Sequence, residues 1–249
     1  MKTLQKKNRE IRQCFFSLLH CIPWSLYLGL TILYGSISFC ISAKFFANAV
    51  TIKEAFYFYW SCPLSRNLLF AVTFYISSFM PVLFILRFLD YKLCPEYYLT
   101  RLSSPRILVV SKILCVIVLA TANVALRLGI FHLGIEILYP SIPGGFLILL
   151  ETSMELLLNA VTFALVAMLL YYLSKNATIV FVGLTALLLF SLFYVQPVIR
   201  TVIFSIYGMN LTNRQPWFLY GDLLLLFFVT SLLMILRFDI LLEEDEKNE

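Results

Sequence analysis

Five polar side chains interrupt long apolar stretches, and their chemistry decides what those stretches could do: Asn123, Glu151, Glu155, Asn159 and Asp222. Glu151 and Glu155 are four residues apart, which places both on one face of a helix. Polar groups in apolar helices are expensive and usually face protein or water, so all five are candidates for lining a translocation path. Two alternatives stay open. The asparagines can hydrogen-bond between helices, and the two glutamates can lie in an outer interface.

These residues do not form a recognisable catalytic or metal-binding pattern. Membrane metalloproteases need histidine and acidic residues at set spacing, whereas the histidines here are His20 and His132, without an HExxH motif. The sequence has no GxSxG motif, and its six cysteines include no CxxC pair. We therefore expect a protein that is not an enzyme, with no catalytic residue, metal site or cofactor of its own.

The amino-acid composition indicates whether these polar groups belong to a water-soluble domain or to a membrane protein. Hydrophobic residues make up 61% of the 249 residues, against ~45 to 50% in soluble domains. Charged residues make up 13%, about half the usual share, and the mean hydropathy is +0.90. These values exclude a disordered chain, a nucleic-acid-binding protein and a disulfide-rich secreted domain, and they favour a membrane protein.

Six apolar segments are long enough to cross a bilayer, which takes about 20 residues. They are residues Ile22–Ser42, Asn67–Leu86, Ile107–Leu126, Met154–Leu173, Thr178–Pro197 and Phe218–Leu236. We therefore predict an all-α polytopic fold with one transmembrane domain over residues 1–249. Residues 1–21 precede the spans, the spans fill residues 22–236, and an acidic segment follows at residues 237–249.

The basic residues predict the orientation of the spans. With the N-terminus in the cytoplasm, 13 lysines and arginines fall on the inner side and six on the outer side. The outer set is Lys44, Lys53, Arg66, Arg127, Arg200 and Arg214. The net charge of +5 is thus mainly a topology signal, which predicts a multi-pass protein of the cell membrane with both termini in the cytoplasm.

Two flanking stretches are expected at the membrane surface. Before the first span, Ile11, Phe15, Leu18 and Leu19 recur at helical spacing opposite charged residues, which predicts an amphipathic helix in the interface or, alternatively, an unordered basic segment. The outer stretch Ala43–Arg66 is rich in aromatic residues, which suits the headgroup level. The next outer stretch, Arg127–Leu150, contains Gly144 and Gly145, so its second half is either partly inserted or an early start of the fourth helix.

The connection between spans two and three combines charged and apolar residues. From Pro95 onward the order predicts a short helix, because Glu96 complements its positive N-terminus and Arg101 its negative end. Ser104 can cap the following helix, with Pro105 at its first position. Arg106 and Lys112 can then extend toward the inner headgroups.

This connection resembles the transmembrane subunit of ABC transporters of the ABC-2 (type V) exporter class, in the small six-span form found in peptide-antibiotic export and immunity systems. The residues that fit are Glu96, Leu99, Arg101, Ser103, Ser104, Pro105, Arg106 and Lys112. The resemblance implies a cytoplasmic coupling helix that docks in a groove of a separate ATPase subunit, which would hold the ATP and Mg²⁺. The ATPase-coupling residues would be Glu96, Tyr97, Tyr98, Arg101 and Arg106, with the tyrosines as anchors and the charges at the rim.

The resemblance also implies a pairing with a second permease copy or a paralogue, and export of an apolar or amphipathic substrate. The sequence departs from that class between spans five and six, where 198–217 is polar at Asn210, Asn213, Arg214 and Gln215. Other interpretations stay open. The short helix can be an ordinary interfacial loop with tyrosines among the headgroups. The protein can also be a sensor, immunity or assembly protein without an ATPase, or a secondary transporter, which would need protonatable groups near the midplane.

Overall fold

The computed structural model describes residues 2–46, 49, 51–61, 104–140, 142, 146–174, 176–193 and 223–235, and these residues are helical apart from short turns. The helices are α1 (Lys2–His20), α2 (Trp24–Phe46), α3 (Ile52–Ser61), α4 (Pro105–Leu138), α5 (Phe146–Ser174), α6 (Ala177–Phe193) and α7 (Leu223–Ile235). The prediction of an all-α chain is therefore confirmed for the described residues. The predicted span Asn67–Leu86 lies outside them.

Two of these helices are long and apolar enough to cross a membrane, over Trp24–Lys44 and Arg106–Leu138. Shorter apolar stretches lie at Ala160–Ser174 and Leu223–Ile235. Several large apolar side chains are exposed on these helices, for example Ile137 at 74% and Phe227 at 73%. Such side chains are costly in water and ordinary against lipid, so they agree with a membrane protein.

α4 begins where the sequence predicted and ends much later. Pro105 occupies its first turn after an extended Ser104, although the Ser104 side chain makes no capping hydrogen bond. The helix continues for 34 residues, or about 51 Å, and ends at Tyr139 before Pro140. The helix thus runs twelve residues past the predicted end of the span at Leu126, because a single arginine after that residue does not terminate a helix, whereas a proline does.

α5 begins at Phe146, directly after Gly144 and Gly145, and eight residues before the predicted Met154. This is the early start that the sequence left open as one of two alternatives. Glu151 and Glu155 therefore belong to the early turns of a 29-residue helix. At its other end, the Asn176 side chain accepts a hydrogen bond from the Thr178 backbone N–H (2.9 Å) and caps α6.

α2 and α4 run in the same direction. The Tyr27 hydroxyl donates to the Leu119 carbonyl, and at the other end the Tyr139 hydroxyl donates to the Ala43 carbonyl at 3.1 Å. Residue numbers thus rise together along both helices, as the six-span prediction requires of its first and third spans. If both helices began at the same level as the predicted spans, Tyr27 would lie beside Lys112; it lies beside Leu119 instead, a register shift of seven residues, or about 10 Å.

The register shift leaves the first turns of α4 beyond the start of α2, and α1 covers them. Cys14 and Leu18 of α1 are buried in one cluster with Ile107, Leu108 and Cys115 of α4. The Ser111 hydroxyl lies 3.3 Å from the Ile11 carbonyl, and Cys115 Sγ lies 3.9 Å from the Phe15 carbonyl. The predicted amphipathic helix is confirmed, but its apolar face packs along α4 rather than against lipid alone.

Candidate functional site

The most unusual group in the described structure is a charged side chain buried between helices. Arg127 of α4 is 0% exposed, and its guanidinium carbon lies 5.3 Å from the centre of the Tyr59 ring. Its aliphatic stem passes Gly35 of α2, where an added Cβ would lie 3.6 Å from Arg127 Cγ. The sequence assigned Arg127 to the outer flank of a span, and in the structure α4 continues through this position and buries the side chain.

α3 brings Tyr59 to this arginine. The Glu54 backbone N–H donates to Thr51 Oγ1 (3.3 Å), which caps the helix, and four residues at helical spacing then point inward: Ile52, Ala55, Phe56 and Tyr59. α3 runs back along α2, because the Tyr59 hydroxyl donates to the Gly35 carbonyl (3.4 Å). Gly35 lies eleven residues, or about 16 Å, before the end of α2. The predicted surface position of this aromatic stretch was therefore wrong for its buried residues.

Five aromatic side chains surround this point and form the aromatic cluster: Phe39, Phe46, Phe56, Tyr59 and Phe131. The Phe131 ring is central, with ring centroids 4.9 Å from Phe56, 5.3 Å from Tyr59 and 6.0 Å from Phe46. Burial raises the pKa of Tyr59, an effect that the nearby Arg127 opposes in part. Tyr59 therefore remains a protonated hydroxyl that can donate a hydrogen bond.

A second buried cation lies nearer the start of α4. Lys112 is 3% exposed, and its ammonium lies 5.4 Å from the centre of the Tyr172 ring on α5. The ring face attracts the charge, and the lysine stem packs between helices. The prediction that Lys112 extends toward headgroups was wrong, because α1 and α5 cover this part of α4.

The contact between Lys112 and Tyr172 also sets the register of α4 against α5. Farther along the same pair of helices, Leu157 and Ala160 of α5 pack against the cluster that contains Phe131. The two helices are therefore antiparallel, and Leu157 and Val161 of α5 come to the levels of Arg127 and Asn123. Asn123 itself is 3% exposed, one helical turn before Arg127.

Of the five candidate path residues, Asn123 and Asn159 thus lie within about 3 Å of one level along the α4–α5 pair by their backbone positions, whereas Glu155 lies about 9 Å from the level of Asn123, beyond Arg127. Glu151 lies one turn nearer the start of α5. The side chains of Glu151, Glu155 and Asn159 lie outside the described part of the structure, as does Asp222. Sequence reasoning had passed over Arg127 and Tyr59. An arginine inside a long apolar run was the available signal, and it had been assigned to topology instead.

The candidate ATPase-coupling residues are divided by the limits of the described chain. Glu96, Tyr97, Tyr98 and Arg101 fall outside the described residues. Arg106 is exposed at the second position of α4, near the part of that helix that contacts α1. This exposed position is compatible with an outward contact.

The described residues contain no group of three or more histidine, cysteine, aspartate or glutamate side chains that could hold a metal ion. The arrangement instead provides two fixed positive charges among aromatic and aliphatic side chains. Such groups can orient helices and attract anionic or π-rich groups, since the low-polarity surroundings strengthen electrostatic interactions. Comparisons with protein-family models, curated proteins and solved structures found no match for the chain.

Proposed function

We propose that the chain is the transmembrane subunit of an ABC exporter, with six spans, both termini in the cytoplasm, and a separate ATPase subunit that supplies ATP hydrolysis. It would act with a second permease copy or a paralogue in the cell membrane. The cargo would be apolar or amphipathic, because the helices present large apolar surfaces and few charged groups. The chain itself would carry no catalytic residue.

One observation supports the proposal most directly. α1 is packed along the first turns of α4, and α4 begins four residues after Arg101, the last residue of the coupling segment that the resemblance implies. A displacement of that segment would therefore act on the first turns of α4, where α1 contacts them. Because α4 is continuous for 34 residues, the same displacement would reach the aromatic cluster. This is the mechanical link that an ATP-driven permease requires.

The direction of the helices is a second support. The parallel course of α2 and α4 and the antiparallel course of α4 and α5 are those expected of spans one, three and four when every consecutive span reverses direction. The polar level at Asn123 and Arg127 would then lie within the helix bundle, where Asn123, Glu155 and Asn159 are candidates for the translocation path, with Glu151 and Asp222 toward its outer end.

Co-purification of the partner tests the proposal. The full chain is purified in mild detergent from its native cells, and the recovered proteins are identified by mass spectrometry. We expect an ATPase with Walker motifs to be recovered with the wild type, and roughly tenfold less with Glu96→Lys, since a reversed rim charge repels the former partner. The matched control is Glu136→Lys, which makes the same charge change on an exposed side chain at the opposite end of α4.

Two results would contradict the proposal. If the wild type recovers no ATPase, the sensor, immunity or assembly interpretation gains support. If substrate efflux persists without the ATPase gene and collapses with the proton gradient, the chain is a secondary transporter.

A further inference from the structure

The outward face of α1 is basic and does not contact the other described helices. α1 buries Cys14 and Leu18 against α4, so the opposite face presents Lys6, Arg9 and Arg12 to solvent. The Lys6 side chain is 72% exposed. Residues 2–12 contain five basic residues and one acidic residue. We call Lys6, Arg9, Arg12, Gln13 and Phe16 the basic face.

The basic face also contains an apolar position. Phe16 is 57% exposed, one turn after Arg12, whose guanidinium carbon lies 6.0 Å from the centre of the Phe16 ring. A groove lies beside Asn8, Arg9, Arg12 and Gln13, on the same side of the helix. When α1 is followed from the end next to α2 toward its N-terminus, the apolar Phe16 therefore comes first and the basic residues Arg12 and Arg9 follow. A partner should present an apolar group followed by acidic groups.

Segment 237–249 of this chain has that order. Phe238, Ile240, Leu241 and Leu242 come first, and the run Glu243, Glu244, Asp245 and Glu246 follows. The segment contains six acidic and two basic residues, so its net charge is opposite in sign and equal in size to that of residues 2–12. Three residues of extended chain span about 10 Å, which matches the rise of α1 from Phe16 to Arg9.

The reach of the chain is sufficient. α7 packs through Val229 and Leu233 in one cluster with Val116 of α4, the neighbour of Cys115, which contacts α1. From Ile235 to Glu243 there are eight residues, which span up to about 27 Å. This distance exceeds the width of two packed helices, about 20 Å.

We infer that the acidic segment 243–246 docks on the basic face of α1, with Leu241 and Leu242 beside Phe16, and closes a clasp between the two ends of the chain. The inference rests on the part of the proposed function that places both ends on one side of the membrane. Such a clasp would hold α1 against α4 at the end of the bundle where the coupling segment joins α4. Its release would free the basic face for another partner.

Photo-cross-linking of the full chain tests the clasp. Gln13 is replaced by benzoylphenylalanine, the protein is placed in phosphatidylcholine nanodiscs, and the irradiated product is digested and mapped by mass spectrometry. We expect cross-links to residues 237–249, and a roughly tenfold loss with Arg9→Glu and Arg12→Glu combined, as for two exposed ion pairs. Adding Glu243→Arg and Glu244→Arg to that variant should restore the cross-links. Lys44→Glu, at the end of α2, is the control and should leave them unchanged.

Three results would overturn the inference: cross-links to lipid or to another protein in place of residues 237–249, cross-links insensitive to the reversals, or no rescue by the compensating pair. Labelling of Asn8→Cys and Asn248→Cys in oriented vesicles separates this failure from that of the topology. Labelling from opposite sides refutes both the clasp and the proposed six spans. Labelling from one side without a cross-link refutes the clasp alone.

Discussion

Two of the contacts that α4 makes along its length consist of different kinds of side chain. The aromatic cluster joins α4 to α2 and α3 through large, stiff rings around Arg127. The α1–α4 contact joins Cys14 and Leu18 to Ile107, Leu108 and Cys115, with hydrogen bonds from Ser111 and Cys115 to backbone carbonyls. Interlocked rings have few alternative packings, whereas small and aliphatic side chains can slide over one another. We therefore expect the aromatic cluster to be the rigid region and the α1–α4 contact the region that can move.

The largest effect should follow from removing the central ring. Phe131→Ala leaves a cavity at a site that is 0% exposed and loses contacts with at least three rings. We expect the free energy of unfolding to fall by about 3 to 5 kcal/mol, measured by SDS titration of the protein in detergent micelles with near-ultraviolet circular dichroism. Phe227→Ala removes a ring that is 73% exposed and is the control. Equal losses in both variants would show that the cluster is not rigidly packed.

A smaller effect should follow from adding one methyl group between α2 and α4. A Cβ at Gly134 would lie 2.4 Å from the Phe39 ring, and that ring is held by Phe46 and Phe131. Gly134→Ala should therefore reduce the free energy of unfolding by about 1 to 3 kcal/mol in the same titration. The control is Gly129→Ala on the same helix, since an added Cβ there meets no atom within 4 Å. A stable Gly134→Ala variant would mean that Phe39 can move, against the comparison.

The smallest effect concerns the α1–α4 contact at alkaline pH. Burial raises the pKa of the Cys14 thiol above its ordinary value of 9.0, although Ser111 and Lys112 partly oppose the shift. Since the folded state holds the proton more tightly than the unfolded state, the contact loses stability as the pH rises above about 9. The alkylation rate of a variant that retains Cys14 alone should reach its half-maximum at higher pH in mild detergent than in SDS. Coincident pH profiles would contradict the packing of α1 on α4.

Local features were predictable because their causes are local. The apolar spacing of Ile11, Phe15 and Leu18 predicted α1, and Pro105 marked the first turn of α4. Where residues of the predicted spans are described they are helical, apart from Ile22 and Pro23 at the start of the first span. Of the site, the sequence singled out Asn123, and the structure buries it. The roles proposed for Glu96 to Arg101 remain predictions.

The sequence-based predictions were wrong where the surroundings of a side chain depended on its depth in the helix bundle and on the register between neighbouring helices. Arg127 and Lys112 carry the same charge in the sequence whether they face headgroups or neighbouring helices, and both had been assigned from the sequence to the edges of predicted spans. The aromatic residues of α3 likewise suit both a headgroup belt and a packed core.

The sequence by itself determined that the described parts of this chain are helical, that its composition is apolar enough for a bilayer, and that α1 is amphipathic, because composition and 3.6-residue periodicity act within one segment at a time. Only the tertiary structure decided that α2 meets α4 with Tyr27 beside Leu119, that α1 covers the first turns of α4, and that Arg127 is buried beside aromatic rings. The physical reason is that register is fixed where side chains from separate helices fit together. That fit depends on Gly35, Gly134 and the aromatic rings beside them, which belong to different helices.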